Sequence, residues 1–295
     1  LTIDKGATLA LHDGSNGNIT VLGETNIGGE HSGHLLFRAD GISRTMSCNN
    51  VTLKGSGMGA DNQLSIETGG TAGLLHQLVV NGSLTQDNGT IDLFTNTANG
   101  SNVALTFTGS ANAHFNLTAG TVPDLFRLIL DKGTTQASFL TVNAPLSLGT
   151  ASDAAVKPLE LKNGTLVLDN ASTDHILSSG GALFTIPAST GLVVSKGRVS
   201  INTHANGIQL AGRLRVDGDG IVSLGNGTNN IRIFIQYQGL TPLLEIADNG
   251  LLEVNSQIRR STSTVTGSLR YRQSGGKTIL HGQHQNPGRA KLEIL

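Results

Sequence analysis

Two histidine pairs and one carboxylate-rich turn are the first places to look for chemistry. His31 and His34 stand three residues apart with Glu30 beside them, and His281 and His284 repeat the spacing. A zinc site needs three or four converging ligands, with nitrogen at about 2.0–2.1 Å. A spacing of three suits a helix face, but both pairs lie in Gly-rich, non-helical sequence. They read as exposed polar histidines, and no metal ligand is assigned. Asp217-Gly218-Asp219-Gly220 opens like a calcium loop. The next oxygen ligand should stand at the fifth position, which is Ile221, so a strand corner held by glycine is expected instead.

Glycosidic chemistry needs two carboxylates, about 5 Å or about 6.5–9.5 Å apart. The acids Asp4, Asp131, Asp169, Asp174, Asp217, Asp219 and Asp248 are scattered over turns, and sequence alone does not align them. Asn202-Thr203-His204 has only a superficial likeness to the motif of β-helical pectin-degrading enzymes, and no pair of acids stands with the supporting His, Arg or Lys. Gly55-Ser56-Gly57-Met58-Gly59 reads as a flexible stretch rather than a nucleophile elbow. Cys48 is the only cysteine, so an internal disulfide is excluded and a small buried thiol is expected. No catalytic residue and no cofactor is assigned. The chain is expected not to be an enzyme, with a polysaccharide lyase or hydrolase as the alternative.

The elements that would carry any such residues announce themselves by repetition. An aliphatic residue, a turn ending in Gly, and an aliphatic-x-aliphatic run recur along the chain. Ile3-Asp4-Lys5-Gly6 leads to Leu9 and Leu11, and Leu161-Lys162-Asn163-Gly164 to Leu166 and Leu168. Val194-Ser195-Lys196-Gly197 leads to Val199 and Ile201, and further copies follow from Val216 to Leu224 and from Ile246 to Val254. Each copy reads as strand, tight corner, strand. Asn-Gly occurs eight times and Asp-Gly four, and both favour corners that need φ > 0. Two-residue hairpins at these pairs would give an antiparallel β-sandwich array, which is the alternative. The unchanged polarity of the corner phrase favours successive coils of a right-handed parallel β-helix, a β-solenoid. At about 22 residues per coil the chain would hold roughly 13 coils. Leu9, Leu11, Leu166, Leu168, Val199, Ile201, Val222 and Leu224 should stack inward, with Asn and Thr stacking at corners.

Composition agrees with an all-β chain. Of the 295 residues 37% are hydrophobic, 14% charged and only 3% aromatic, with 39 Gly. A core without large rings must come from Leu, Ile and Val in narrow layers. Helix signals are nearly absent; the best candidate, residues 122–130, reads equally well as strand from Phe126. No apolar run is long enough for a membrane helix, so no membrane insertion is expected. Both ends read as strand, which suggests a piece of a longer chain. Nine Asn-x-Ser/Thr sequons are present, several at Asn-Gly corners, where the turn already accounts for the Asn.

Residues 1–255 read as the solenoid, with a candidate loop insertion at 28–47. Residues 256–295 form a basic polar terminal segment, expected to be further strands or a contact region. This segment carries seven Lys/Arg against one acid, a net of +6, and the rest of the chain nets −7. Arg259, Arg260, Arg270, Arg272, Lys277 and Arg289 are therefore the residues expected to contact a polyanion or another copy of the chain. Interleaved aromatics and nucleic-acid motifs are missing, so no nucleic-acid partner is expected.

The phrases Leu130-Asp-Lys-Gly-Thr-Thr-Gln-Ala-Ser-Phe-Leu-Thr-Val-Asn143 and Leu159-Glu-Leu-Lys-Asn-Gly-Thr-Leu-Val-Leu168 resemble coils of large secreted bacterial β-helical surface adhesins and filament proteins. These include the giant adhesins exported by the type IX system, autotransporter passengers and filamentous-haemagglutinin-like proteins. The likeness covers most of residues 1–255 and rests on Gly/Asn corners and alternating aliphatics. It implies an extracellular, cell-surface β-helix used for attachment or for building a fibre. The partners it implies are copies of itself, other parts of a longer chain, or surface glycans. It transfers no catalytic residue.

Overall fold

Strands rich in Val, Ile, Leu and Thr alternate inward and outward side chains, so a short strand can give one apolar row to a core and one polar row to solvent. Corners with φ > 0 then turn the chain to the next face. Lys5 and Gly6 have φ 59° and 73°, Gly164 89°, Gly197 74° and Asp248 52°. The computed structural model describes all residues except 12–17, 56–60, 98, 150–157, 178–182, 202–206, 226–232, 263–266, 283–291 and 293–295. Among the described residues there is no α-helix. Residues 122–130 hold strands Asp124–Leu125 and the start of Arg127–Asp131.

The fold is an all-β parallel β-solenoid whose coils place one strand on each of three faces. The chain divides into two units, Leu1–Gly133 with Leu140–Thr150, and Thr134–Phe139 with Ala151–Leu295. In the first unit, residues 19–21, 45–48, Leu75–Val80, Asn102–Phe107 and Arg127–Asp131 stack in parallel on the first face. Thr2–Ile3, 24–27, 51–53, Leu84–Gln86, Ala113–Leu117 and 140–142 form the second face. The third face is a six-stranded parallel sheet from Ala7–Leu11 to Ser147–Leu148.

The second unit repeats the plan. Its first face runs 164–168, 190–194, Arg213–Val216, Leu243–Ile246 and Arg270–Gln273. The second face runs 174–176, 198–201, Ile221–Leu224, Leu251–Val254 and Lys277–Leu280. The third holds four strands, Phe184–Ile186, Gly207–Leu210, Phe234–Tyr237 and Ile258–Arg260. Every ladder between these strands is parallel, which removes the antiparallel sandwich; among the described residues the one antiparallel pairing is an isolated bridge, Phe94 with Asn102.

Register offsets between the described strands run from 22 residues (Leu192 to Leu214) to 33 (Val51 to Leu84). The expectation of roughly 13 coils at 22 residues each is therefore too high, because 22 is the shortest coil and loops between faces lengthen the others. Of the expected inward residues, Leu166, Leu168, Val199, Val222 and Leu224 have no exposure, and Ile201 and Leu11 have 3% and 4%. Leu9 is half-buried at the first layer, stacked on the fully buried Leu35. Asparagines stack as expected: Asn143 donates to Asn116 at 2.8 Å, and Asn81 to Asn49 at 3.5 Å. Cys48 is buried, and burial pushes its thiol up to about 11, which keeps it protonated and unreactive at neutral pH.

Segment 28–47 contributes Gly33–Phe37 to the third face and opens Thr45–Leu53, so its strands lie within the stack. The described residues of segment 256–295 contribute three strands to the second unit. The inward columns change character there. Leu244 stacks on Tyr271, Ile246 on Gln273, and Leu252 on Thr278. Tyr271 Oη donates to Gln273 Oε1 at 2.5 Å and lies 2.9 Å from Thr278 Oγ1. These inward positions carry hydrogen-bonded polar groups, whereas Leu280 stacks on Val254 and Leu292 bridges Ile258 in parallel.

Candidate functional site

The first face of the second unit gathers charge that the linear sequence keeps apart. Leu214 and Val216 point inward, so Arg213 and Arg215 point out. Below them Leu243 and Glu245 point out, and below those Arg270 and Arg272. Register makes two outward columns, Arg213–Leu243–Arg270 and Arg215–Glu245–Arg272. Glu245 Oε2 accepts from Arg213 Nε at 2.5 Å, and its Oε1 lies 3.5 Å from Arg272. Arg215 Nε donates to Asp217 Oδ2 at 2.5 Å, and Asp217 Oδ1 accepts from Ser195 at 2.6 Å. The acids are held close to the sheet, each with a side chain 13% exposed, whereas the side chain of Arg272 is 57% exposed. A depression of about 450 Å³ lies between Arg215, Glu245, Arg272 and Ser274. Four guanidinium groups against two carboxylates leave this strip net positive. Guanidinium forks bind carboxylate or sulfate oxygens in pairs, so the strip is suited to anions.

The six basic residues expected to act together are divided by the fold. Arg270 and Arg272 share the strip. Lys277 stands exposed on the second face, in register with Leu251. Arg259 and Arg260 are sequence neighbours and so point to opposite sides of one strand. Arg259 lies over the Phe234 ring at 3.8 Å, and Arg260 takes the inward column below Tyr237. Arg289 lies outside the described residues. The structure adds Arg213 and Arg215, which the sequence reading missed. The signal was present as a repeated Arg-x-Arg, Arg213-Leu-Arg215 and Arg270-Tyr-Arg272. Alternation puts both arginines of each pair on one side.

A second arrangement lies on the third face of the first unit. Asp92 and Asp124 are in register on successive coils, and Ser65 stacks on Asp92. Adjacent strands lie about 4.8 Å apart. Burial pushes the Asp92 carboxyl up, with the Phe94 backbone N–H pulling it back. Burial and then the Asp92 charge push Asp124 up. Ser65 Oγ is 2.7 Å from His34 Nε2.

The remaining sequence candidates are dispersed. His31 donates its backbone N–H to Asp4, and His281 Nε2 lies 2.8 Å from Glu253 Oε1. Among the described residues no three His, Cys, Asp or Glu side chains are grouped for a metal ion. Asp219 accepts from Asn249 at 3.1 Å, within a corner stack. His284, Asn202-Thr203-His204 and residues 56–60 lie outside the described residues. Compared with known proteins, the chain matches no family, no curated protein and no solved structure.

Proposed function

We propose that the chain is a structural and adhesive segment of a large extracellular bacterial surface protein or filament. It would work through its stacked outer faces and through contacts with copies of itself, other parts of a longer chain, or surface glycans. The observation that carries this reading is the separation of columns. Inward positions are mostly Leu, Ile and Val, joined by rings such as Phe37, Phe107, Phe115 and Tyr237, at almost no exposure, and the charged groups of the strip stand on outward columns spread over successive coils. Such a surface presents repeated groups over a distance instead of converging them on one bond. The basic terminal segment on an otherwise acidic chain supports contacts between copies. Electron microscopy of the source cells, labelled with an antibody to this chain, is the test. Label on surface fibres or a surface layer is expected. Label confined to the cell interior, or to free particles, would overturn the reading.

The Asp92–Asp124 register favours a second reading, cleavage of a polysaccharide laid along the third face of the first unit. Two carboxylates on neighbouring coils are close to the shorter spacing that glycosidic chemistry uses. A raised carboxyl pKa is what a general acid needs. On this reading Asp92→Asn and Asp124→Asn each slow the release of reducing ends from an acidic polysaccharide by about 100-fold or more. Equal rates in the parent chain and both variants would remove it.

A further inference from the structure

We propose that the arginine strip on the first face of the second unit binds a linear polyanionic glycan, carboxylated or sulfated, lying across the coils. The inference rests on the adhesive reading for why such a ligand is met, and on geometry for where it sits. Both outward columns carry arginine at the same two coils and skip the coil between, so the cationic pairs recur every second coil, about 10 Å apart. The two columns are about 7 Å apart along the strand. That footprint is long across the strands and one chain wide.

The shape decides between classes of partner. A folded protein partner needs roughly 800 Å² on each side of a stable interface, far more than two columns supply. An extended acidic peptide pairs along a strand edge, using backbone hydrogen bonds, whereas the arginines line up across strands. A nucleic-acid strand calls for aromatic platforms; the tyrosine between Arg270 and Arg272 is in the inward column, bonded to Gln273 and Thr278. A glycan needs neither. Its anionic groups meet the guanidinium forks, and its hydroxyls meet polar neighbours such as Ser274 in the depression.

Glu245 gives the strip its distinguishing property. It lies between the two arginine coils, draws in Arg213 and Arg272, and opposes any anion that enters. Gln at this position keeps the side chain's shape and an accepting carbonyl oxygen, so removing the charge loosens the hold on two guanidinium groups while the site stays filled.

The test titrates the full 295-residue chain with heparin, polygalacturonate and neutral dextran. Binding to at least one polyanion and none to dextran is expected, with affinity falling as salt rises. Retention of heparin alone would assign the anion as sulfate, of polygalacturonate alone as carboxylate, and of both as either. The pair Arg215→Gln with Arg272→Gln should weaken binding about tenfold or more. Glu245→Gln should tighten it about threefold or more, a gain that misfolding cannot produce. Indifference to both polyanions, or a Glu245→Gln variant no tighter than the parent, overturns the proposal. So does a polyanion-blind chain whose dimer, seen by sedimentation, is dispersed by the same arginine changes; the strip would then belong to a second copy. A chain that labels surface fibres yet ignores both polyanions loses this site and keeps the proposed function. A chain that binds them through the strip but never labels the cell surface does the reverse.

Discussion

Lowering the pH from 7 to about 4 should destabilise the second unit by about 3 kcal/mol through His175 alone. His175 is 6% exposed and stands in register with Val199, which stacks on Val222 and Leu252 in an inward column. Its Nε2 is buried with no hydrogen-bond partner in the described structure. Burial lowers its pKa from 6.5 to about 4, against a smaller upward pull from the neighbouring Asp174 carboxylate. The unfolded chain binds a proton near pH 6.5, and the folded one resists until about 4. The stabilising contribution is therefore complete above 6.5, falls through the window between, and is lost below 4. His175→Val continues the valine column and carries no ionisable group. The denaturation midpoint of the parent should fall steeply between pH 7 and 4, and that of the variant should fall less by the His175 share. Parallel curves would show that the imidazole is solvated or paired. His76 in the first unit acts in the same direction. It is fully buried, lowered by burial and by the Arg44 charge, and its Nδ1 accepts from the Arg44 backbone N–H at 3.0 Å.

His175 also shows where sequence reading stops. The corner phrase identified the strands on either side of it, because Gly after Asp, Asn or Lys has a conformational meaning that survives without coordinates. Alternation identified Leu166 and Leu168 as inward, and the fold agrees. Alternation could not place His175, because a β-bulge shifts the register between Asp169 and Asp174, and one shift exchanges the two faces of a strand. Coil length failed for a related reason. Corner phrases mark where a coil turns, but the loops joining faces have no period. The arginine strip was half legible. Counting charge along the chain found Arg270 and Arg272 and grouped them with Arg259 and Arg260, which turn elsewhere. Only the register of Arg213–Val216 with Leu243–Ile246, and of that strand with Arg270–Gln273, makes four arginines one surface. The Asp92–Asp124 pair was invisible in sequence because 32 residues separate the two acids and no motif surrounds either.

Gly250→Ala should be among the most damaging single-methyl additions in the second unit, costing about 3 kcal/mol or more. The reason is the stacking of corners rather than backbone strain. A Cβ on Gly250 would lie 2.4 Å from the Val216 carbonyl oxygen and 2.6 Å from its carbon, both backbone atoms of the coil above. Gly220 meets Val194 O at 1.9 Å in the same way one coil earlier, and Gly276 meets Gly250 O at 2.2 Å one coil later. These glycines form a column in which each corner presses on the next. The added methyl group can be relieved only by separating two coils, which weakens the hydrogen bonds from Ala247 N to Val216 O and from Leu251 N to Gly220 O, 3.0 and 2.9 Å long. Two other glycines separate this cause from the alternatives. Gly6 has φ 73° and open space around its Cβ position, so Gly6→Ala meets only left-handed strain and should cost about 1 kcal/mol. Gly23 has open space and no positive φ, so Gly23→Ala should change stability by less than about 0.5 kcal/mol. Chemical denaturation of the three variants, read with hydrogen exchange at Ala247 and Leu251, checks the order. If Gly250→Ala is as mild as Gly6→Ala, the coils are not in backbone contact at that corner, and the close-stacked column from Gly220 to Gly276 is wrong.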